Sequence, residues 1–289
     1  MTLLAVTACW GSTFFLIHDL LDRVPVLDFL ALRFAIAAGV VLVLAPRSIA
    51  RLSPATRRRA VVVGVLYGVA QILQTAGLGH TAASVGGFIT GLYVVATPLF
   101  AAMLLHSRIS GPTWVAVLLA MAGLAVLTLD DVAGFGGLGY GEALILAAAL
   151  LYALHIVGLG AWSTPQDAVG MALIQCLVIA AICGIAAAPG GITLPDRAGD
   201  WLSILYMAVF AGAGALLGQT WAQAHLPPTR SAIIMTMEPV FAAFFAVLLG
   251  GESAGPRMFL GGGLVLAAML IVELVPRRRI EAEVPHIAV

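Results

Sequence analysis

The chain has 289 residues, of which 62% are hydrophobic and 10% charged, and its mean hydropathy is +1.08. A soluble domain carries nearer ~25% charged residues and has too little interior to hide so much apolar surface, so lipid is the solvent over most of the molecule and a large water-soluble domain is excluded. Fourteen arginines, no lysine and fourteen acidic residues sum to zero net charge, which argues against nucleic acid as a partner and leaves neither a lysine Schiff base nor a P-loop.

A helix needs roughly 20 apolar residues to cross a bilayer, and the apolar runs predict ten such spans. They cover 2–20, 28–46, 60–79, 84–105, 113–130, 139–160, 168–188, 201–223, 231–250 and 257–275. No basic residue precedes the first run and further spans follow it at once, so it is expected to be a retained helix and not a signal peptide. The second span carries Arg33, the third Tyr67, Gln71 and Gln74, and the fourth Tyr93 and Pro98. The sixth holds Glu142, Tyr152 and His155, and the seventh Gln175. The eighth holds Gln219, Trp221 and Gln223, and the ninth Glu238-Pro239; His18, Asp19 and Glu273 lie near span ends. Cys9, Cys176 and Cys183 all fall in apolar stretches and read as small core residues. Period-two alternation is absent, so the spans are helices and not barrel strands.

Arginine placement predicts orientation. Arg47, Arg51, Arg57, Arg58 and Arg59 fall in the 46–59 loop, and Arg277, Arg278 and Arg279 in the tail; Arg108 and Arg230 fall at span ends on the same side. Arg23, Arg197 and Arg257 fall on the other. Both termini are therefore expected in the cytoplasm, with the chain a multi-pass protein of the inner membrane.

Polar landmarks recur in order. Gln74-Thr75-x4-His80 returns as Gln219-Thr220-x4-His225, an offset of 145, and Pro98-Leu99-Phe100-Ala101-Ala102 as Pro239-Val240-Phe241-Ala242-Ala243, an offset of 141. Trp10 then corresponds to Tyr152 and Arg33 to Gln175. The expected division is a first repeat at 1–132, a second at 139–276 and a tail at 277–289. Five spans per repeat is an odd number, so the two halves enter the membrane in opposite senses. Inverted repeats of this kind are what secondary transporters use to build two gates around one midplane site.

With those residues in view, the chain resembles the drug/metabolite transporter superfamily, in the ten-helix branch built from two EamA-type repeats. Trp10-Gly11-Ser12-Thr13-Phe14 looks like its opening motif, and Arg33-Phe34 like its Arg-Phe pair. His80-Thr81-Ala82-Ala83-Ser84 is similar to its connection between spans three and four, and Glu238-Pro239 with Gly251-Glu252 to its closing motif. The first repeat departs from the pattern, with Arg108 where the second has Glu252. The resemblance implies a ten-helix, all-α transporter without a cofactor that exports small metabolites by alternating access. Within the superfamily, the YddG-type exporters of aromatic amino acids are the branch nearest in size and pocket character.

Polar residues in hydrocarbon are costly unless they face a cavity or a partner. For Arg33 two readings stand, a clamp for a substrate carboxylate or a strut bonded to backbone carbonyls. Glu238 either meets an amine or a proton, or braces a helix; Pro239 beside it, and Pro98 in the first repeat, break the hydrogen-bond ladder and suit gating. Trp10, Tyr67, Tyr93, Tyr152 and Trp221 lie deep enough to wall a cavity, while Trp114, Trp162 and Trp201 at span ends suit interface anchors. Gln71 with Gln74, and Gln219 with Gln223, share helix faces and suit either a polar ligand or interhelical bonding. His155, one turn from Tyr152, is read as a cavity residue or a hydrogen-bonded fixture. The expected cavity set is thus Trp10, Gln71, Gln74, Tyr93, Tyr152, His155, Gln219 and Trp221, with Arg33, Pro98, Glu238 and Pro239 in coupling or gating.

No His-Glu-x-x-His, Gly-x-Ser-x-Gly or intramembrane aspartate pair occurs, so neither a metal nor an enzyme is expected. The expected function is export of amino acids, aromatic ones foremost, with protons as a candidate coupling ion. A multidrug or quaternary-amine exporter is the alternative within transport. A membrane scaffold or intramembrane enzyme is the alternative outside it.

Overall fold

The computed structural model describes residues 1–81, 83–132, 139–250 and 255–274, and these form ten helical passes with no strand among them. The first pass is split into α1a (Thr2–Gly11) and α1b (Phe14–Leu21). Unbroken α2 (Val26–Leu44) and α3 (Pro54–Leu78) follow. The fourth pass is split into α4a (Ala83–Gly91) and α4b (Tyr93–Leu105), and α5 is Gly111–Val132. The second half comprises α6 (Tyr140–Trp162), α7 (Ala168–Ala187) and α8 (Ala198–Gln223), then α9a (Pro228–Met235), α9b (Met237–Gly250) and α10 (Pro256–Leu274). Glu252 and the 277–289 tail with Arg277, Arg278 and Arg279 lie outside the described residues, as do the side chains of His18, Asp19, Arg257 and Glu273.

Among the described residues α2, α3, α6, Ala168–Gly190 and α8 are each long and apolar enough to cross a membrane unbroken. The outer faces are apolar because they meet lipid: Leu118 on α5 and Phe259 on α10 are 65% and 69% exposed. Helix ends follow their local chemistry. Ser53 Oγ caps α3 by accepting from the Thr56 amide at 3.1 Å, with Pro54 at the first helical position, where its missing N–H costs nothing.

The spans expected to be continuous at 2–20, 84–105 and 231–250 are each interrupted. At the α1 break the Ser12 and Thr13 hydroxyls bond back to the Cys9 and Trp10 carbonyls at 2.8 Å each, offering the backbone an alternative to the helical ladder. The breaks in α4 and α9 fall at Leu92 and Thr236, six residues before Pro98 and three before Pro239. Inside α8, Met207–Gly214 winds as a π-helix, a local widening that often marks functional sites.

Contacts between helices obey the inverted repeat. The α3–α6 pairing has its counterpart in α8–α1a, and α4b–α6 in α9b–α1a, while α2–α7 and α5–α10 join equivalent helices across the pseudo-two-fold. Small residues permit the tight crossings. A Cβ on Gly77 of α3 would stand 2.8 Å from the Gly141 carbonyl of α6, and one on Gly11 of α1a 2.8 Å from the Glu238 carbonyl of α9b. Gly64 and Gly68 lie against Gln175 and Ile179 of α7, and Gly218 against Val6 of α1a; Gly214 meets only its own helix.

Candidate functional site

These crossings leave a cavity of about 500 Å³ enclosed by α1, α2, α3, α4, α6, α8 and α9. Trp10, Gln71, Gln74, Tyr93, Tyr152, His155 and Gln219 all line it, and so do Arg33 and Glu238. It reaches the surface beside exposed Asp22 and Gly79, at the ends of α1b and α3. Its other end is shut by Ile156, Gln219 and Met235, all buried. The open end is opposite the arginine-rich 46–59 loop, because α3 runs from that loop to Gly79.

Trp221 is a correction. It is 43% exposed, faces away from the cavity and packs on the His225 ring with centroids 4.5 Å apart. It lies in the last turn of α8, which ends at Gln223, and stands two residues from both Gln219 and Gln223, about 200° around the helix from either. Pro98 is buried within α4b and Pro239 half-buried at the start of α9b; neither lines the cavity. Sequence reasoning missed Thr13, Phe29, Thr90 and Met235, whose side chains carry no unusual signal in an apolar run.

One wall is a closed hydrogen-bond chain. Gln71 Nε2 donates to the Tyr152 hydroxyl at 2.6 Å, which donates to Gln74 Oε1 at 2.7 Å. Gln74 Nε2 donates on to Thr90 Oγ1 at 3.1 Å. Tyr67 stands edge-on to Tyr152 and tilted over His155, with centroids 5.7 and 4.9 Å apart. Such aromatic pairs are held by ring quadrupoles as well as by burial.

The opposite wall carries charge. Arg33 is 4% exposed, and its Nη2 donates to the Ala211 carbonyl at 3.0 Å. Trp10 Nε1 donates to the same oxygen at 2.9 Å, so a carbonyl of the π-segment anchors both side chains. The guanidinium carbon lies 5.3 Å from the Phe34 ring and 5.9 Å from that of Phe29, within cation–π range. Arg33 Nε has no hydrogen-bond partner. Glu238 lines the same cavity as Arg33, Tyr67, Tyr93 and Tyr152, and no hydrogen bond or ion pair holds its carboxyl among the described residues.

At the shut end, His155 Nε2 meets Gln175 Oε1 at 2.9 Å. Gln175 Nε2 donates to the Met171 carbonyl and to Thr220 Oγ1, which fixes the amide orientation. Gln219 Nε2 donates to Gln223 Oε1 at 3.0 Å, and Gln223 Nε2 to the Ile156 carbonyl at 2.9 Å. Outside the cavity, Arg23 forms a two-point pair with Asp200, the shorter contact 2.7 Å, at the face where the cavity opens. Among the described residues no His, Cys, Asp or Glu cluster suits a metal.

Two inverted five-helix halves around one polar, aromatic-walled cavity define a membrane transporter. The EamA-like transporter family matches residues 1–129 and again 139–274, and the chain belongs to that family. This places it among transporters and not among enzymes. An uncharacterized transporter of Archaeoglobus fulgidus is 29% identical over 273 residues, covering 93% of this chain and 83% of that protein. The uncharacterized inner membrane transporter YedA of Escherichia coli K12 is 27% identical over 288 residues, covering 94% of this chain and 89% of YedA. A crystal structure at 20% identity superposes with a TM-score of 0.78 over 96% of this chain and 97% of its own, which shows a shared fold.

Proposed function

We propose that the protein exports small zwitterionic amino acids, aromatic ones foremost, across the inner membrane by alternating access. The observation that carries this reading is the cavity's charge inventory. One guanidinium, Arg33, and one carboxyl, Glu238, occur in its interior, within walls of Trp10, Phe29, Tyr67, Tyr93 and Tyr152. A carboxylate on the cargo meets Arg33, whose planar fork suits it, and the aromatic walls take an apolar side chain. The volume lies in the range usual for small-molecule sites. A quaternary amine would favour the same aromatics and Glu238 but would be repelled by Arg33, which ranks that cargo second.

With the arginine-rich loop in the cytoplasm, the cavity of this structure is open outward and its floor at Ile156 and Met235 is the closed inner gate. In the exchange cycle, cargo leaves Arg33 toward the outside and Glu238 takes a proton in its place. The floor then opens and the proton is released inward as the next cargo binds. The breaks before Pro98 and Pro239 let α4 and α9 tilt as half-helices during that exchange. Flux of a panel of radiolabelled amino acids into and out of proteoliposomes, with and without a proton gradient, tests the reading. Aromatic amino acid exchange stimulated by the gradient is expected; a purified, folded protein that moves no amino acid overturns it.

A further inference from the structure

The hydrogen-bond chain along the cavity wall has a direction, and Thr90 sets it. The Thr90 hydroxyl donates its single proton to the Gly86 carbonyl, one turn back on α4a, at 2.8 Å. Thr90 Oγ1 therefore has only lone pairs to offer its other neighbour. The group that meets it at 3.1 Å must be the Gln74 NH2, which turns Gln74 Oε1 toward the Tyr152 hydroxyl. That oxygen takes the phenolic proton at 2.7 Å, so the Tyr152 oxygen becomes an acceptor, filled by the Gln71 NH2 at 2.6 Å. Turning either amide over would set two acceptors face to face.

The chain ends at Gln71 Oε1. This oxygen has no hydrogen bond among the described residues. Unlike Arg33 Nε, which is sealed off, it keeps accessible surface on a half-buried side chain that lines the cavity. Val62, 47% exposed, marks the lipid face of α3, and Gln71 nine residues on stands about 180° around the helix from it. Nor does the fold require an amide here. The offset that pairs Gln74 with Gln219 pairs Gln71 with Leu216 on α8, which is 1% exposed, so the second repeat fills the same position with an apolar side chain.

We propose that Gln71 Oε1 selects cargo bearing an N–H donor, a primary ammonium, and that Thr90 is the positioning residue that keeps Gln71 an acceptor. The ammonium rests on the amino-acid reading and deepens it. A lone glutamine turns over freely and offers either end of its amide, so it discriminates little between donors and acceptors on a ligand. Held through Gln74 and Tyr152, Gln71 offers oxygen only. Cargo with an ammonium pairs that oxygen. Cargo without one displaces its water and leaves it unmet, the circumstance in which a polar site rejects an analogue most strongly.

Calorimetric binding of phenylalanine, 3-phenylpropionate and 2-phenylethylamine to the purified full chain tests both roles. Wild-type protein is expected to bind phenylalanine roughly ten- to hundredfold more tightly than 3-phenylpropionate, the factor for an acceptor left unmet. Gln71→Leu should narrow that gap to a few-fold. Thr90→Val keeps the shape but frees the chain to reverse, with Tyr152 donating to Gln71 and the Gln71 NH2 turned to the cavity, so it should narrow the gap as well. Thr90→Ser, which restores the hydroxyl, should restore the gap. An unchanged gap in Gln71→Leu overturns the subsite and leaves the amino-acid reading standing, and an unchanged gap in Thr90→Val overturns the positioning role. Equal loss of all three ligands in variants that melt like wild type overturns both roles. Wild-type protein that binds 2-phenylethylamine but not phenylalanine, with the same dependence on Gln71, removes the amino-acid reading and leaves the subsite standing. Binding of 3-phenylpropionate alone, or of none of the three, overturns the subsite.

Discussion

Arg33→Met keeps the aliphatic stem and removes the guanidinium, so it separates recognition from folding. On the folding side the loss is small. The Ala211 carbonyl gives up its 3.0 Å bond to Arg33 but retains the 2.9 Å bond from Trp10, so no acceptor is orphaned. The lost bond, made by a charged donor, is worth about 1.5–3 kcal/mol, and it is offset because a buried charge no longer has to be desolvated. On the cargo side the loss is large. A carboxylate bound against buried Arg33 loses its cation, which costs about 3 kcal/mol, or about a hundredfold in Kd. Calorimetric titration with phenylalanine and 2-phenylethylamine, beside thermal melts in detergent, reads both quantities. Phenylalanine affinity is expected to fall about a hundredfold, while 2-phenylethylamine, a cation no longer repelled by the guanidinium, binds more tightly and Tm stays nearly unchanged. Wild-type phenylalanine affinity in Arg33→Met would refute the reasoning and leave Arg33 as a strut.

Glu238→Gln should keep cargo binding and exchange but abolish the stimulation of flux by a proton gradient; retained stimulation places the proton elsewhere. Trp10→Ala should depress flux at least tenfold by stripping an aromatic wall worth a few kcal/mol of contact, whereas Trp221→Ala, on a lipid-side face, should leave flux near wild type at equal expression. Gly77→Val should lower Tm by forcing a Cβ to 2.5 Å from Ile145 Cγ1 and 2.8 Å from the Gly141 carbonyl, an overpacking cost of roughly 1–3 kcal/mol; an unaltered melt would mean that α3 and α6 part without cost.

Much of this architecture is written in the spacing of polar residues along apolar helices. Gln74 and Gln219, Trp10 and Tyr152, Arg33 and Gln175 are conspicuous because lipid tolerates few polar side chains, and their recurrence in order, at offsets within about one helical turn of each other, exposes the duplication. Most of these residues reach the cavity for the same reason they stand out; Gln175 instead bonds His155, which lines it. The errors have equally physical causes. Depth along a span says nothing of direction around it, which is why Trp221 was grouped with Gln219 despite pointing to the far side. Threonines such as Thr13 and Thr90 leave no trace, since their hydroxyls satisfy themselves on neighbouring carbonyls. The Ala211 carbonyl, which anchors Arg33 and Trp10, belongs to a π-segment made of Met, Val, Phe, Ala and Gly, and such a run is indistinguishable by composition from ordinary apolar helix.

Alternating exposure of one cavity is the centre of this account, and side-specific labelling measures it directly. Leu78 lines the cavity near its open end and Met235 lines its floor. With Cys9, Cys176 and Cys183 replaced, Leu78→Cys and Met235→Cys would be probed in oriented proteoliposomes with a membrane-impermeant maleimide added to either side. Without cargo, Leu78→Cys should react from the face bearing Asp22 and Gly79, and Met235→Cys should not react from the 46–59 loop face. Saturating phenylalanine under turnover should protect the first position and make the second reactive from the loop face. Reaction of both positions from one face together, or no response of either to cargo, would contradict alternating access.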